Sequence, residues 1–272
     1  MDKLQNKTLP CATKYPIVLV HGVGFRHRKH PNYWGRIPKQ LQKNGAEIYY
    51  SRQDAWGALE HNALIIKNDI LEVLKTTQAE KVNIIAHSNG GIEARYMIHE
   101  LNMESHVASL TTICTCHRGS KTVDRLYRLP NILFKIAAVF VNTVCRILGD
   151  KKPDFYKACQ QLTTSKCEEF NAKIKDSEDV VYKSYAGKMK TMFSDFILTI
   201  PYVVVKHIDG DNDGLVPVNS AKWGEFKGVL EGKTRRGISH ADAVDFSRHT
   251  SKSFDICQTY IDIVAELKNS HL

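Results

Sequence analysis

The chain has no long apolar run. Its most apolar region, Ile132 to Leu148, is interrupted by Lys135, Asn142, Thr143 and Arg146. The unbroken stretch Ile136 to Val141 falls far short of the roughly 20 residues that cross a bilayer, so no transmembrane segment is expected. Met1-Asp2-Lys3-Leu4-Gln5-Asn6-Lys7 lacks the apolar core of a signal peptide. As written the chain therefore reads as cytoplasmic, or as secreted if a leader has been removed. No second pair accompanies Cys114-Thr115-Cys116, and the seven cysteines (11, 114, 116, 145, 159, 167 and 257) have no metal-like paired spacing. Free thiols in a reducing compartment are the simplest account. Internal repeats and low-complexity linkers are missing as well, so the 272 residues read as one domain able to bury a sizeable core.

Positive charge is in excess, at +9, but it is not concentrated. Arg26-His27-Arg28-Lys29-His30 and Lys233-Thr234-Arg235-Arg236 are short and carry no interleaved aromatics, which argues against a nucleic-acid surface. A solvated basic face and a weak attraction to anionic interfaces both remain open.

What is present is an alternation of strand-like and helical patterns, expected to give a mostly parallel sheet with helices on both faces. Ile17-Val18-Leu19-Val20 reads as a buried parallel strand ending at His21-Gly22. Tyr33 to Lys43 reads as a helix, Glu47 to Tyr50 as a strand, and Asn62 to Leu74 as an amphipathic helix. A further strand is expected at Leu110 to Cys114. Between about 120 and 175 no strand is evident, and the apolar residues of 132–148 cover more than one helical face. That segment reads as an inserted helical cap, either fixed or a mobile lid. Tyr182 to Ala186 and Tyr202 to Ile208 are expected to resume the sheet, before a final helix over Phe254 to Lys268.

The most informative stretch is Val82-Asn83-Ile84-Ile85-Ala86-His87-Ser88-Asn89-Gly90-Gly91. An apolar strand leads into a serine in a turn of small residues, and a helical pattern starts at once. This is the pattern of a nucleophile elbow, with Ala86 where glycine is usual. Taken alone it could still be an ordinary turn with a solvent-facing serine. A serine hydroxyl is a weak nucleophile and needs a base oriented by a carboxylate. In an α/β-hydrolase the order along the chain is serine, acid, histidine. Asp209, Asp211 and Asp213 compete for the acid, and Asp213 fits best in the frame Gly210-x-x-Asp213-x-x-Val216-Pro217. Asp209 and Asp211 read as turn residues that cap nearby amides. Of the later histidines, His240 in Gly237-Ile238-Ser239-His240 is chosen over His249 and His271. The oxyanion of an acyl-transfer intermediate would take the amides of Asn89 and of Val23, in the loop His21-Gly22-Val23-Gly24. His21 and His87 read as braces for that loop and the elbow.

With these pieces placed, the chain resembles the bacterial true lipases, the α/β-hydrolase triacylglycerol lipases, from about Tyr15 to Ala265. The resemblance rests on Val20-His21-Gly22, Pro31-Asn32-Tyr33-Trp34-Gly35, Ala86-His87-Ser88-Asn89-Gly90-Gly91 and His117-Arg118-Gly119-Ser120. It continues through Glu169-Phe170-Asn171, Ser184-Tyr185-Ala186-Gly187, Asn212-Asp213-Gly214-Leu215-Val216 and Ser239-His240-Ala241-Asp242. It implies the triad Ser88, Asp213 and His240, the oxyanion amides of Val23 and Asn89, and a lid between Thr122 and about Lys152. It departs from the family at Cys114 and Cys116, where glycine and proline are usual, and in having no counterpart of the secreted members' disulfide. Many members also hold a structural calcium ion; Asp242 matches one carboxylate ligand and Asp195 falls within a residue of the other, with surface aspartates holding no ion as the alternative reading.

The expected fold is therefore an α/β-hydrolase, one domain over residues 1–272 with a helical insertion at about 120–175. The expected activity is hydrolysis of lipophilic carboxylic esters, acylglycerols among them, at a lipid–water interface. No cofactor is needed for that chemistry. Phe134, Ile136, Val139 and Phe140 would line or cover the acyl site. An esterase for short soluble esters, with activity on polyesters conceivable, and a non-catalytic binding module on the same scaffold are the rival readings.

Overall fold

The computed structural model describes residues 9–24, 32–128, 131–233, 235–246, 248 and 254–272, with the side chains of 131, 133, 134 and 137 left aside. The expected basic cluster at Arg26 to His30 and His249 lie outside the described residues. Six strands form one wholly parallel sheet: β1 (Ile17–Val20), β2 (Ile48–Tyr50), β3 (Val82–His87), β4 (Val107–Ile113), β5 (Val181–Gly187) and β6 (Glu225–Leu230). Their spatial order is β2-β1-β3-β4-β5-β6. The order reverses direction between β1 and β3, and in open parallel sheets ligands bind beyond the carboxyl ends of the strands at such a point. The loop after β1 and the turn after β3 therefore face each other where a site is expected.

Both faces of the sheet are covered, and the period of two along each strand divides the core. Ile17 and Leu19 of β1 and Ile85 of β3 pack with Trp34 and with α1 (Ile37–Lys43) and α9 (Ile256–Asn269), whose Leu41, Tyr260 and Val264 are buried. The alternate residues Val18, Val20, Ile84 and Ala86 pack on the other face. Their partners are α2 (Leu59–Thr77) and α3 (Asn89–Glu100), through Ile66, Ile70, Ala94 and Met97. Among the described residues four helices stand between β4 and β5: α4 (Lys121–Tyr127), α5 (Asn131–Ile147), α6 (Phe155–Gln160) and α7 (Thr164–Lys173). None of the described helices is long and apolar enough to cross a membrane.

One expected strand is a helix. Tyr202 to Ile208 belongs to α8 (Thr199–Ile208). Its valine run has strand propensity, yet Tyr202 and Val205 are buried while Val203 and Val204 are exposed, which is helical spacing. The sixth strand lies further on, at β6, where Glu225, Lys227 and Gly228 hide the signal. It is an edge strand with charged side chains on its exposed face, as an unpaired edge requires.

Candidate active site

Ser88 sits between β3 and α3 with φ 55° and ψ −132°, a region that L-residues avoid. The turn is this tight because α3 begins at once, against the end of β1. A Cβ at Gly90 would lie 2.3 Å from the His21 carbonyl oxygen, and one at Gly91 would lie 2.3 Å from Thr115 Oγ1. Only glycine permits that approach. The turn lifts Ser88 Oγ towards His240, whose Nε2 is 3.0 Å away. His240 Nδ1 is 2.7 Å from Asp213 Oδ2. A carboxylate only accepts, so it draws the proton to Nδ1 and leaves the Nε2 lone pair facing the serine hydroxyl.

Each partner is held by its own loop. Asp213 Oδ1 accepts from the amides of Leu215 (3.0 Å) and Val216 (2.7 Å). The His240 amide donates to the Asp213 carbonyl at 2.7 Å, which joins the two loops independently of their side chains. Asp209, one of the rival acids, accepts from the amides of Lys121 and Thr122 and so caps α4. Asp211 pairs instead with Lys188 and Lys206. Only Asp213 of the three reaches the histidine.

The amides of Val23 and Asn89 have no hydrogen-bond acceptor among the described residues. Two free N–H groups beside a serine hydroxyl can hold a developing oxyanion. Sequence reasoning missed what fixes this loop. Tyr33 accepts from the Gly22 amide at 3.0 Å, and its hydroxyl lies 2.6 Å from His87 Nδ1. It thereby ties the loop after β1 to the residue before Ser88. Burial holds the His87 imidazole neutral, pushing its pKa well below the usual range. His21 braces the same loop through Gly22 and Gln53. The bracing roles expected of both histidines agree with these contacts.

A cavity of about 270 Å³ opens beside His240, walled by Val23, Ile197, Leu198, Leu215, Val244 and Phe246. Its lining is overwhelmingly apolar, which suits an acyl chain. Ile136, Val139 and Phe140 of α5 do not line the cavity, and they are exposed. The helix turns those residues outward and buries Ala138 and Cys145 instead. Phe134 lies outside the described side chains. Part of the wall comes from the segment before α8, which carries Phe196 at 95% and Ile197 at 85% exposure.

The expected calcium ligands are close to each other but already matched. Ser239 Oγ donates to Asp195 at 2.8 Å, and the Ser239 amide donates to Asp242 at 3.0 Å. Arg236 grips both oxygens of Asp242 at 2.6 and 3.1 Å. A guanidinium therefore supplies the positive charge that a calcium ion would bring, and this donor set does not fit the ion while Arg236 is in place. Incubation with EDTA is expected to leave both the melting temperature and the rate of ester hydrolysis unchanged. A fall in either, restored by added calcium, would show that Arg236 yields the position.

A wholly parallel, helix-covered sheet carrying a serine–histidine–aspartate chain at its carboxyl edge defines an α/β-hydrolase. The family model described as palmitoyl protein thioesterase matches residues 16–195, and the chain belongs to that family. Its relatives support the wider kinship with lipases. It is 30% identical over 221 residues to triacylglycerol lipase 2 of Saccharomyces cerevisiae, across 79% of this chain and 62% of that protein. The chain thus spans about three fifths of the yeast relative's length. Among solved structures, the Staphylococcus hyicus lipase superposes with a TM-score of 0.70 at 18% identity, covering 98% of this chain and 99% of its own. The mature Bacillus licheniformis lipase BlEst2 gives 0.63 at 20% identity, covering 91% and 94%. At such identities the structural likeness speaks for the fold.

Proposed function

We propose that the protein is a serine carboxylic-ester hydrolase, a lipase acting on lipophilic esters through an acyl-enzyme on Ser88. The carrying observation is the Ser88–His240–Asp213 chain opening on an apolar cavity. Ser88 Oγ attacks the ester carbonyl while His240 Nε2 takes its proton. Asp213 holds the imidazolium, and the amides of Val23 and Asn89 hold the oxyanion. His240 then protonates the departing alcohol, and water repeats the cycle on the acyl-enzyme.

The apolar surface supports a lipid–water interface as the working location. Phe193, Phe196 and Ile200 lie exposed close in sequence to the cavity wall, and Ile197 belongs to both. On α5, Ile132, Ile136, Val139, Phe140 and Ile147 are exposed as well. Exposed apolar residues in such numbers mark an interaction surface. Residues of about 120–175 act here as a helical cap, with α5 as its lipid-facing lid.

A p-nitrophenyl ester chain-length series beside a triglyceride emulsion tests the reading. Rates should rise with chain length and rise again above the solubility limit. Preference for acetate with no such rise would replace the lipase with an esterase for soluble esters. Phe196→Asp should lower the ratio of emulsion to short-ester activity by about tenfold, the equivalent of 1.4 kcal/mol of lost apolar contact. The family's description adds one arm to the experiment. A palmitoyl thioester offers the same long acyl chain, so its kcat/KM against the matching oxygen ester ranks the two leaving groups.

A further inference from the structure

Every side chain of α3 from Asn89 to Arg95 is buried, and the helix therefore encloses a carboxyl group, that of Glu93. Its donors are neutral amides. Asn62 Nδ2 of α2 donates to Oε1 at 2.8 Å, and Asn89 Nδ2 donates to the same oxygen at 2.9 Å. The Gln53 amide is the third polar neighbour. Gln53 Nε2 also donates to the His21 carbonyl at 2.9 Å, so the cluster touches the loop after β1 as well as the turn at Ser88. Glu93 is thus bonded to the side chain of the residue whose amide faces the oxyanion, and through Gln53 it reaches the other half of that site.

The cluster holds more acceptors than donors. Gln53 Oε1 and Asn89 Oδ1 are buried with no donor among the described residues. A proton on Glu93 adds a donor to a cluster that is short of them, and burial disfavours the anion more than the amides of Asn62, Asn89 and Gln53 favour it. Charges around the site point the same way. From the segment after β2, Asp54 opposes a charge on Glu93. Its own carboxylate is engaged by the amides of Lys151 and Lys152 and lies 3.3 Å from His61 Nε2. Tyr33, which burial keeps protonated, also feels a charge on Glu93, and His21 meets the cluster through the Gln53 carbonyl; burial keeps His87, beside Tyr33, neutral.

We propose that Glu93 is a positioning residue of the oxyanion site, holding the Asn89 turn as a neutral acid and slowing ester hydrolysis when it ionises. The inference rests on the reading of Ser88 as the nucleophile. An ionised Glu93 would set a second negative charge, in low dielectric, within one helical turn of the amide that must receive the oxyanion. It would also reorder the amides that hold Asn89 and Gln53. Burial pushes the Glu93 carboxyl up to about 8, so the change falls in mildly alkaline solution.

Glu93→Gln keeps an acceptor for Asn62 and Asn89, supplies a permanent donor, and cannot ionise. With a soluble p-nitrophenyl ester, and spontaneous hydrolysis subtracted, wild-type kcat should fall about tenfold per pH unit above the Glu93 pKa. The ratio of kcat at about pH 9.5 to kcat at pH 7 should then be roughly 30-fold lower in wild type than in Glu93→Gln. An identical alkaline limb in both proteins would overturn the proposal. Stability gives a second reading. Folded Glu93 keeps its proton up to about pH 8, while the unfolded chain releases it near 4.5, so wild type loses stability as pH rises between the two. The urea midpoint of Glu93→Gln minus that of wild type should grow across this window and level off above it; a constant difference contradicts a neutral Glu93. Should the variant not fold, the infrared carbonyl band of a buried carboxylic acid in wild type at pH 7 decides: its presence supports the neutral acid and its absence removes it. If Ser88 were not the nucleophile, Ser88→Ala would keep hydrolysing while the stability difference and the infrared band still reported on Glu93, which separates the two failures.

Discussion

Ser88→Ala protein is expected to fold normally and to hydrolyse p-nitrophenyl esters about 10⁶-fold more slowly than wild type, the scale on which serine triads fail when the nucleophile is removed. The residual rate should stay above that of water, because the free amides of Val23 and Asn89 and the apolar cavity remain. Stability should hardly change. The substitution removes an oxygen that is 3.0 Å from His240 Nε2 and leaves the φ of 55° as strained as before. Strain of this kind costs about 1–3 kcal/mol, so Ser88→Gly should melt at a higher temperature than either. A fluorophosphonate probe should label wild type and not Ser88→Ala. Labelling or full activity in the alanine variant, once its fold is verified, would sink the assignment.

Asp213→Asn should lower kcat about 10⁴-fold with little change in KM, because it inverts the tautomer of His240 and keeps its place. The asparagine oxygen can still accept from Leu215 and Val216, and the backbone bond from His240 to residue 213 survives. Its amide nitrogen then faces His240 Nδ1, which must accept. The imidazole proton moves to Nε2 and points at Ser88, where a lone pair is needed. A loss similar to that of Asp213→Ala together with a lower melting temperature would instead mean that the acid mainly holds the loop. Steady-state kinetics on both variants, read beside their melting curves, separates these outcomes.

The parts of the site that were legible share a property: each is announced by local backbone chemistry. Small residues around Ser88, the glycine-bounded acidic turn at Asp213, and the order of serine, acid and histidine describe tight turns at strand ends. Turns are written in neighbouring residues. The central strands were legible for a related reason, since a strand buried on both faces is apolar throughout, as β1 and β3 are. What was not legible depended on residues far apart. The valines of α8 fit a strand as well as a helix, and only the burial of Tyr202 and Val205 decides between them. Glu93 lies in the helix after the elbow, where an acid is ordinarily solvated. Its burial follows from α2 and the segment after β2 closing over α3. The part played by Ile197 and Leu198 in the cavity wall is not announced in the sequence either, because the more apolar segment is α5. Position in the fold, not hydropathy, selects the wall. Arg236 escaped for the opposite reason: its hold on Asp242 is local, but a basic residue in a charged loop signals nothing by itself.

The seven free cysteines have a practical consequence. Six are buried and Cys159 is partly so. Burial pushes the thiols up to about 11 at Cys11 and Cys257 and about 12 at Cys159 and Cys167, and raises Cys114, Cys116 and Cys145 as well. Alkylation proceeds through the thiolate, so in the native protein at neutral pH these groups are nearly inert. Each one becomes reactive only when its own part of the chain opens. Mass-resolved iodoacetamide labelling would therefore chart the order in which the molecule comes apart, with Cys11 and Cys257 reporting on the α1–α9 face, Cys145 on the helical insertion and Cys114 on the catalytic edge of the sheet, all without an engineered probe.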